Sequence, residues 1–155
     1  MIHTPFRTRS WLFTPATRPD RFAKASVAGA DVAILDLEDA VAPGDKARAR
    51  TTALDYLTKN PSDGALHALR INGLDTRAGI SDLDALLGSS AAPDFLVLPK
   101  TETAGHLEIL DRLLTAAGKA TRLIGLIESA RGTVLDRTRA QTDRAGPSRI
   151  PRRAD

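Results

Sequence analysis

The chain has 155 residues, of which 42% are hydrophobic and 26% are charged, and it contains no cysteine. This length suffices for one ordinary hydrophobic core, and the lack of cysteine excludes disulfides, iron–sulfur clusters and thiolate zinc sites. No apolar run approaches the roughly 18 residues of a membrane span, and the first ten residues lack the apolar segment of a secretion signal. We therefore expect a cytoplasmic protein without a membrane partner.

The net charge of +3 and the isoelectric point near 9.7 come from one end of the chain. Residues 136–155 hold six arginines and three aspartates, which leaves 16 basic and 16 acidic residues in residues 1–135. A neutral body with only 4% aromatic residues offers neither the basic surface nor the stacking side chains of a nucleic-acid-binding protein. Nucleic acid is therefore not an expected partner.

Apolar runs and turn residues predict strands that alternate with helices. The predicted strands cover residues 11–13, 32–37, 66–71, 95–98 and 123–127. The first two predicted helices cover residues 20–28, closed by Gly29, and 46–57. The third begins at a Ser81-Asp-Leu-Asp capping box, and the fourth covers residues 104–117. In the second helix we expect Ala47, Leu54 and Leu57 to face inward and Arg48 and Arg50 to face outward.

This alternation is typical of βα units and a parallel sheet, so the fold class is α/β. A small flavodoxin-like doubly wound domain also fits five such units, although residues 14–19 contain no phosphate-binding loop. From Asp136 onward the apolar periodicity stops. We therefore expect residues 1–135 to form the domain and residues 136–155 to be a basic, disordered tail.

Polar residues follow four of the five predicted strands. They are Asp36, Glu38 and Asp39 after the second strand, Arg70 and Asn72 after the third, Lys100 after the fourth, and Glu128 and Ser129 after the fifth. Because parallel strands all point the same way, their carboxyl ends meet at one edge of the sheet, where α/β proteins bind ligands. A site at this edge is the main inference from the pattern itself.

Several of these residues have two possible roles. Three carboxylates cannot be buried unpaired in a strand, yet Asp39 is also an ordinary turn residue. Arg70 either forms a structural ion pair with the Asp36 cluster or captures a carboxylate in bidentate fashion. Lys100 is either a structural charge or part of the site.

Glu128 closes the apolar run Leu-Ile-Gly-Leu-Ile and is the strongest candidate metal ligand. Mg²⁺ binds through one or two carboxylates together with waters and substrate oxygens. His3, His67 and His106 have no metal-ligand spacing, and no glycine-rich phosphate-binding motif is present.

Six segments together resemble the citrate lyase β-subunit group of the HpcH/HpaI aldolase superfamily. They are Arg9-Ser-Trp-Leu-Phe-Thr-Pro, Arg18-Pro-Asp-Arg-Phe, Ile34-Leu-Asp-Leu-Glu-Asp-Ala-Val-Ala-Pro with Lys46 following, Leu69-Arg-Ile-Asn, Leu98-Pro-Lys and Leu126-Ile-Glu-Ser. The resemblance implies a (β/α)8 TIM barrel with its active site at the carboxyl ends of the strands. It also implies Mg²⁺-dependent cleavage or formation of a C–C bond in a 3-hydroxyacyl thioester such as citryl-, citramalyl- or malyl-CoA, with a keto acid and an acyl-CoA as products.

The resemblance also implies roles for individual residues. Glu128 matches a metal-ligand glutamate, and Arg70 matches an arginine that grips the substrate carboxylate. The catalytic neighbourhood would further include Asp36, Glu38 and Asp39 beside the metal's water shell, with Lys100 and Arg18 binding substrate and Arg18, Arg21 and Lys24 near the CoA phosphates. The expected substrate is an acyl-CoA or acyl-carrier thioester, and the full-length family implies a homo-oligomer.

One part of the family pattern is not found. The second metal ligand should be an aspartate a couple of dozen residues after Glu128, but no strand precedes Asp155, so we do not assign it that role. A complete barrel needs roughly 200 residues or more. We therefore expect a barrel truncated to about five βα units, with residues 136–155 translated in a shifted frame and catalysis impaired. The alternative is a non-catalytic fragment or subunit that binds an acyl-CoA or a protein partner.

Overall fold

Five parallel strands lie side by side in the order in which they occur in the chain. The computed structural model describes residues 8–60 and 65–133. The strands are β1 (Trp11–Pro15), β2 (Val32–Asp36), β3 (Leu66–Arg70), β4 (Phe95–Leu98) and β5 (Arg122–Gly125). A doubly wound sheet reverses its strand order at a switch point, so this sequential order excludes the flavodoxin-like arrangement.

A helix follows each of the first four strands. The helices are α1 (Phe22–Val27), α2 (Lys46–Lys59), α3 (Arg77–Gly88) and α4 (Ala104–Ala116), with short 3-10 turns at Pro19–Arg21 and Pro43–Asp45 before the first two. The predicted α/β alternation is therefore confirmed. No helix in the described ranges is long and apolar enough to cross a membrane.

The two faces of the sheet bury different sets of side chains. On one face Leu35, Leu69 and Leu96 pack with apolar residues of the four helices. On the other face Val32, Ile34, Ala68, Phe95 and Val97 form a second cluster, and the residues that pack against it also come from the strands and their ends. Because both faces of β2 are covered, that strand has the unbroken apolar sequence from which it was predicted.

Helix α3 begins earlier than the sequence predicted. Its N-cap is Thr76, whose backbone is extended and whose Oγ1 accepts the Gly79 N–H at 3.0 Å. Ser81 lies inside the helix and donates its hydroxyl to the Arg77 carbonyl. The predicted capping box at Ser81 is therefore wrong, because a threonine one turn upstream satisfies the first amides of the helix.

The inward face of α2 also differs from the prediction. Leu54 and Leu57 are buried as predicted, together with Ala49 and Ala53, while Ala47 is exposed. Arg50 was expected to face outward but is half-buried, because its guanidinium pairs with a carboxylate on α3. The predictions for residues 136–155 and for His3 lie outside the described residues.

Candidate active site at the carboxyl edge of the sheet

Asp36 and Arg70 form the centre of the site. They end β2 and β3, and they are direct neighbours in the strand register. The Arg70 guanidinium donates Nε–H and Nη2–H to the two Asp36 carboxylate oxygens, each at 2.7 Å, and both side chains are buried. The hydrogen bonds that Arg70 donates to Asp36 raise the pKa of Arg70. The structural ion pair that the sequence left open for Arg70 is therefore present.

Asp36 also turns the chain that follows β2. Its carboxylate accepts the backbone N–H of Glu38 at 2.8 Å and that of Ala40 at 3.3 Å. This turn brings the buried Glu38 side chain back to the cluster, with Oε2 3.2 Å from Arg70 Nη1 and Oε1 2.5 Å from Lys100 Nζ. Two carboxylates thus have two cations, which is the condition under which buried charge is tolerated.

Lys100 joins the ends of β4 and β5 to this cluster. It has φ +49°, in the left-handed region that costs a non-glycine residue about 1–2 kcal/mol. Its backbone N–H donates to Glu128 Oε1 at 3.1 Å, while its ammonium reaches Glu38. The hydrogen bond to Glu38 raises the pKa of the Lys100 ammonium. Lys100 is therefore the bridge between the buried ion pair and Glu128.

Glu128 is exposed three residues beyond β5. Within residues 8–60 and 65–133 no three carboxylate or imidazole side chains converge as a ready-made metal cage. Mg²⁺ requires only one or two carboxylates because waters and substrate oxygens fill the remaining positions. An exposed carboxylate with one oxygen on the Lys100 amide fits one such position, so the described residues supply a partial donor set for Mg²⁺.

The remaining predicted residues lie around this cluster. Asp39 is 73% exposed in its side chain and lies 3.8 Å from Arg70, and its backbone N–H donates to Glu38 Oε2. Asn72 is buried and donates to the Leu37 carbonyl. The Ser129 hydroxyl contacts Glu102 rather than the cluster. Asp39 is thus both a turn residue and a carboxylate at the rim.

A basic cleft lies beside the cluster, between β1 and α1. Its volume is about 440 Å³, and its lining combines three cations with an apolar floor: Leu12, Phe13, Thr14, Arg18, Asp20, Arg21, Lys24, Ala25 and Ala28. Phe13 belongs to both sites, because the Arg70 guanidinium lies over its ring at 4.8 Å. Arg18 is not part of the Arg70 cluster, since its exposed guanidinium pairs with Asp20 at 2.8 and 2.9 Å.

The sequence alone predicted no role for the side chains that hold the residues of the site in place. The Lys46 ammonium donates to the carbonyls of Leu37 and Glu38. Asp82 is fully buried and accepts from Arg50 Nε at 2.7 Å and from the backbone and side-chain nitrogens of Asn72. One signal was available for Asp82, because an acid between the apolar positions of a helix requires a buried partner.

The described contacts of His67 and His106 do not include the Asp36–Arg70 cluster. His67 is buried in β3, where its Nε2 lies 3.1 Å from the Ser26 hydroxyl. His106 belongs to α4. Neither histidine joins a group of potential metal ligands within the described ranges.

Comparison with known proteins gives the chain its family. The model of the HpcH/HpaI aldolase/citrate lyase family matches residues 9–139. A citrate lyase subunit beta-like protein of Mycobacterium tuberculosis is 42% identical over 125 residues, which are 80% of this chain and 40% of that protein. An L-malyl-CoA/beta-methylmalyl-CoA lyase of Cereibacter sphaeroides is 37% identical over 131 residues, which are 80% of this chain and 41% of the lyase. The chain spans about two fifths of the length of these relatives.

Solved structures agree with this relationship. RipC from Yersinia pestis is 57% identical, with a TM-score of 0.66 over 81% of this chain and 49% of that one. The citrate lyase beta subunit of M. tuberculosis, complexed with oxaloacetate and magnesium, is 42% identical, with a TM-score of 0.63 over 80% of this chain and 49% of that one. M. tuberculosis CitE in complex with magnesium, acetoacetate and coenzyme A is 40% identical, with a TM-score of 0.65 over 83% of this chain and 43% of that one.

The described sheet therefore corresponds to part of a TIM-barrel-like fold, as the sequence predicted. The relatives include proteins named as citrate lyase subunits and as a malyl-CoA lyase, and the solved ones include magnesium complexes. The chain belongs to the HpcH/HpaI aldolase/citrate lyase family.

Proposed function

We propose that this chain is the substrate-binding part of a Mg²⁺-dependent carbon–carbon lyase that acts on a 3-hydroxyacyl-CoA such as citryl-, citramalyl- or malyl-CoA and yields a keto acid and an acyl-CoA. The observation that carries the proposal is the unbroken series of contacts from Asp36 through Arg70, Glu38 and Lys100 to Glu128 at the carboxyl edge. The names of the relatives and the ligands in their structures support it.

Arg70 is assigned the substrate's carboxylate. A guanidinium has five N–H donors, and Asp36 occupies the edge formed by Nε and Nη2. Nη1 lies 3.2 Å from Glu38 Oε2, so a substrate carboxylate at the Nη1–Nη2 edge would accept from Nη2 and share Nη1 with Glu38. Since Asp36 already holds the guanidinium plane, Arg70 loses little conformational entropy when the substrate arrives.

Lys100 and Glu38 are assigned a charge-balancing role. The Glu38 carboxylate lies between the cations of Arg70 and Lys100. When an anionic substrate approaches, Glu38 keeps both cations in place, and Lys100 presents its main-chain amide toward Glu128. Preorganised donors of this kind stabilise the negative charge that develops as the C–C bond breaks.

Glu128, with Asp39 at the rim, is the residue that would hold Mg²⁺ in the described ranges. When bound, the ion supplies Lewis-acid polarisation and a template for the substrate oxygens. Because these ranges supply a partial donor set, we expect the 155-residue chain to show little turnover by comparison with the ordinary kcat of about 1 to 10³ s⁻¹.

The basic cleft is assigned to the thioester. Its apolar floor at Leu12, Phe13 and Ala25 suits an extended aliphatic amide chain, and its cations suit phosphates. Arg21 and Lys24 are the principal candidates, because Arg18 is already engaged by Asp20. Phe13 connects this cleft to Arg70, so the thioester would run from the cleft toward the cluster.

A calorimetric titration of the whole chain tests the proposal. Pyruvate should bind in the presence of MgCl2 and not in its absence, and Glu128→Gln should abolish that binding while keeping an acceptor for the Lys100 amide. Glu108→Gln is the matched control, because Glu108 is an exposed carboxylate on α4. Pyruvate binding that ignores Mg²⁺ or Glu128 would contradict the proposal.

Coenzyme A separates the lyase from the alternative, a non-catalytic fragment that binds an acyl-CoA or a protein partner. We expect the double change Arg21→Gln and Lys24→Gln to weaken CoA binding and to spare Mg²⁺–pyruvate binding, with Arg48→Gln on the exposed face of α2 as control. CoA binding without any Mg²⁺–pyruvate binding would favour the alternative. The cytoplasmic location and the homo-oligomer remain predictions.

A further inference from the structure

We infer that Lys46 is a positioning residue, which holds the main chain at Leu37 and Glu38 so that the Glu38 carboxylate meets Arg70 and Lys100. The relevance of this role to catalysis rests on the proposed function, whereas the role itself rests on contacts in the described residues. Lys46 is the first residue of α2, so it links that helix to the end of β2.

Hydrogen bonds of the strand ladder end at Leu37. The Leu37 N–H still donates to the Arg70 carbonyl at 2.9 Å, as a strand residue would. The Leu37 and Glu38 carbonyls both accept from a side chain, because Lys46 Nζ lies 2.8 Å from the Leu37 oxygen and 2.6 Å from the Glu38 oxygen. The Glu38 oxygen also accepts the Val41 N–H at 3.2 Å, in the turn that follows. The Lys46 ammonium therefore holds the main chain where the strand hydrogen bonds end and the segment Glu38–Asp39 begins.

Charge balance indicates that Lys46 acts through the backbone. Asp36 and Glu38 already have Arg70 and Lys100 as partners, and the nearby buried Asp82 has Arg50. The described partners of the Lys46 ammonium are two carbonyl oxygens. Its contribution is therefore to fix two consecutive peptide units, Leu37–Glu38 and Glu38–Asp39, rather than to neutralise a carboxylate.

The position of the Leu37–Glu38 peptide unit controls the cluster. The Glu38 N–H belongs to it and donates to Asp36 Oδ1, and Asp36 in turn holds Arg70. If the Leu37–Glu38 peptide rotates, Asp36 loses an amide donor and Arg70 Nη1 loses its 3.2 Å contact with Glu38. Loss of the Lys46 ammonium should therefore reach Arg70 although the two side chains have no described contact.

A second side chain holds the same carbonyl. Asn72 Nδ2 donates to the Leu37 oxygen at 3.0 Å, and Asp82 fixes Asn72 through two further hydrogen bonds. The Leu37 carbonyl is thus held from α2 by Lys46 and from the end of β3 by Asn72. The Glu38 carbonyl has a different second partner, the Val41 N–H at 3.2 Å, so Lys46 is the side chain in these contacts that joins the two carbonyls.

The chain provides a matched control in Lys119. Its ammonium also donates to two main-chain carbonyls, those of Ser89 and Ala91, both at 2.8 Å. These carbonyls follow α3, on the side where the chain enters β4 rather than where it leaves it. Lys46→Met and Lys119→Met therefore remove the same kind of interaction from opposite ends of the sheet.

The experiment follows the Arg70 Nε–H signal by ¹⁵N NMR in the whole chain. In Lys46→Met we expect this signal to shift and its hydrogen exchange to become at least about tenfold faster, because hydrogen bonds to charged groups are weakened. In Lys119→Met the signal should stay as in the parent chain, and Lys46→Arg, which keeps the donors, should restore it. If Lys46→Met does not fold, Lys46→Gln takes its place.

The inference is overturned if the two methionine variants affect Arg70 equally, if neither affects it, or if Lys46→Arg behaves as Lys46→Met does. A parallel Mg²⁺–pyruvate titration of the same variants should show weaker binding for Lys46→Met alone. If the parent chain itself fails to bind Mg²⁺–pyruvate, the proposed function fails, but the NMR comparison still decides the role of Lys46.

Discussion

Asp36 and Arg70 share two hydrogen bonds of 2.7 Å inside the fold, at adjacent positions of neighbouring strands. A second Arg–Asp pair, Arg18 with Asp20, has nearly the same bidentate geometry on the surface. The two pairs differ mainly in exposure, since the Arg70 side chain is 9% exposed and the Arg18 side chain 47%. The molecule thus contains its own test of what burial does to an ion pair.

We predict that Asp36→Asn lowers the free energy of unfolding by about 3–5 kcal/mol, because it removes the charge that holds Arg70 by two hydrogen bonds in a buried ion pair. Asp20→Asn should leave it nearly unchanged, because solvent screens an exposed pair. Urea unfolding followed by circular dichroism measures both. Equal effects of the two changes would contradict the importance assigned to burial.

Asp82 should matter for stability, because its buried carboxylate pairs with Arg50 and holds Asn72. We predict that Asp82→Asn costs about 3 kcal/mol, because it removes the charge that pairs with Arg50 and places an amide donor against other donors. The control is Asp84→Asn, an exposed carboxylate on the same helix. A midpoint of urea unfolding that shifts equally in both variants would refute this prediction.

Gly79 and Gly88 both belong to α3 but have different surroundings. A Cβ at Gly79 would lie 2.1 Å from the Gly73 carbonyl oxygen, whereas nothing lies within 4 Å of one at Gly88. Gly88→Ala should raise stability by up to about 1 kcal/mol through helix propensity. Gly79→Ala should lower it, because the Gly73 backbone must move. Thermal unfolding of the two variants would show opposite shifts, and a stabilised Gly79→Ala would contradict the close approach.

Asp31 should make stability depend on acid pH. Its pKa is lowered, first by the backbone N–H of Arg9 and then by the N–H and hydroxyl of Ser10. A lowered pKa means that stability is present above the unfolded value of about 3.9 and is lost as the pH falls through the lower folded value.

Asp31→Asn should therefore reduce stability at pH 7 and flatten the decline of stability below about pH 4. Unfolding midpoints measured between pH 2 and pH 7 test this, with the exposed Asp55→Asn as control. If Asp31→Asn keeps the acid dependence of the parent chain, the hydrogen bonds from Arg9 and Ser10 to the Asp31 carboxylate are not the source of that dependence.

The sequence was sufficient to predict the strands and the edge where the polar residues meet. Apolar runs such as the one ending at Asp36 fix a buried strand, and parallel strands bring their last residues together. The contacts below that edge could not be predicted, because they join residues distant in the chain: Lys46 with Leu37 across a turn, and Arg50 with Asp82 between two helices. The start of α3 was missed because Thr76 and Ser81 both resemble caps locally.

The burial of the strands decreases from the middle of the sheet toward its two edge strands, β1 and β5. All five residues of β2 are buried, whereas β5 has one exposed and three half-buried residues in the described structure. Opening by local unfolding costs least where burial is least, so amides of β5 should exchange with solvent before those of β2 and β3. Asp36 and Arg70 then lie on buried inner strands, whose amides exchange slowly, whereas Glu128 follows an edge strand, whose amides exchange faster. A ligand that uses Glu128 must therefore spend part of its binding energy on ordering that side, and binding should slow amide exchange most strongly in β5.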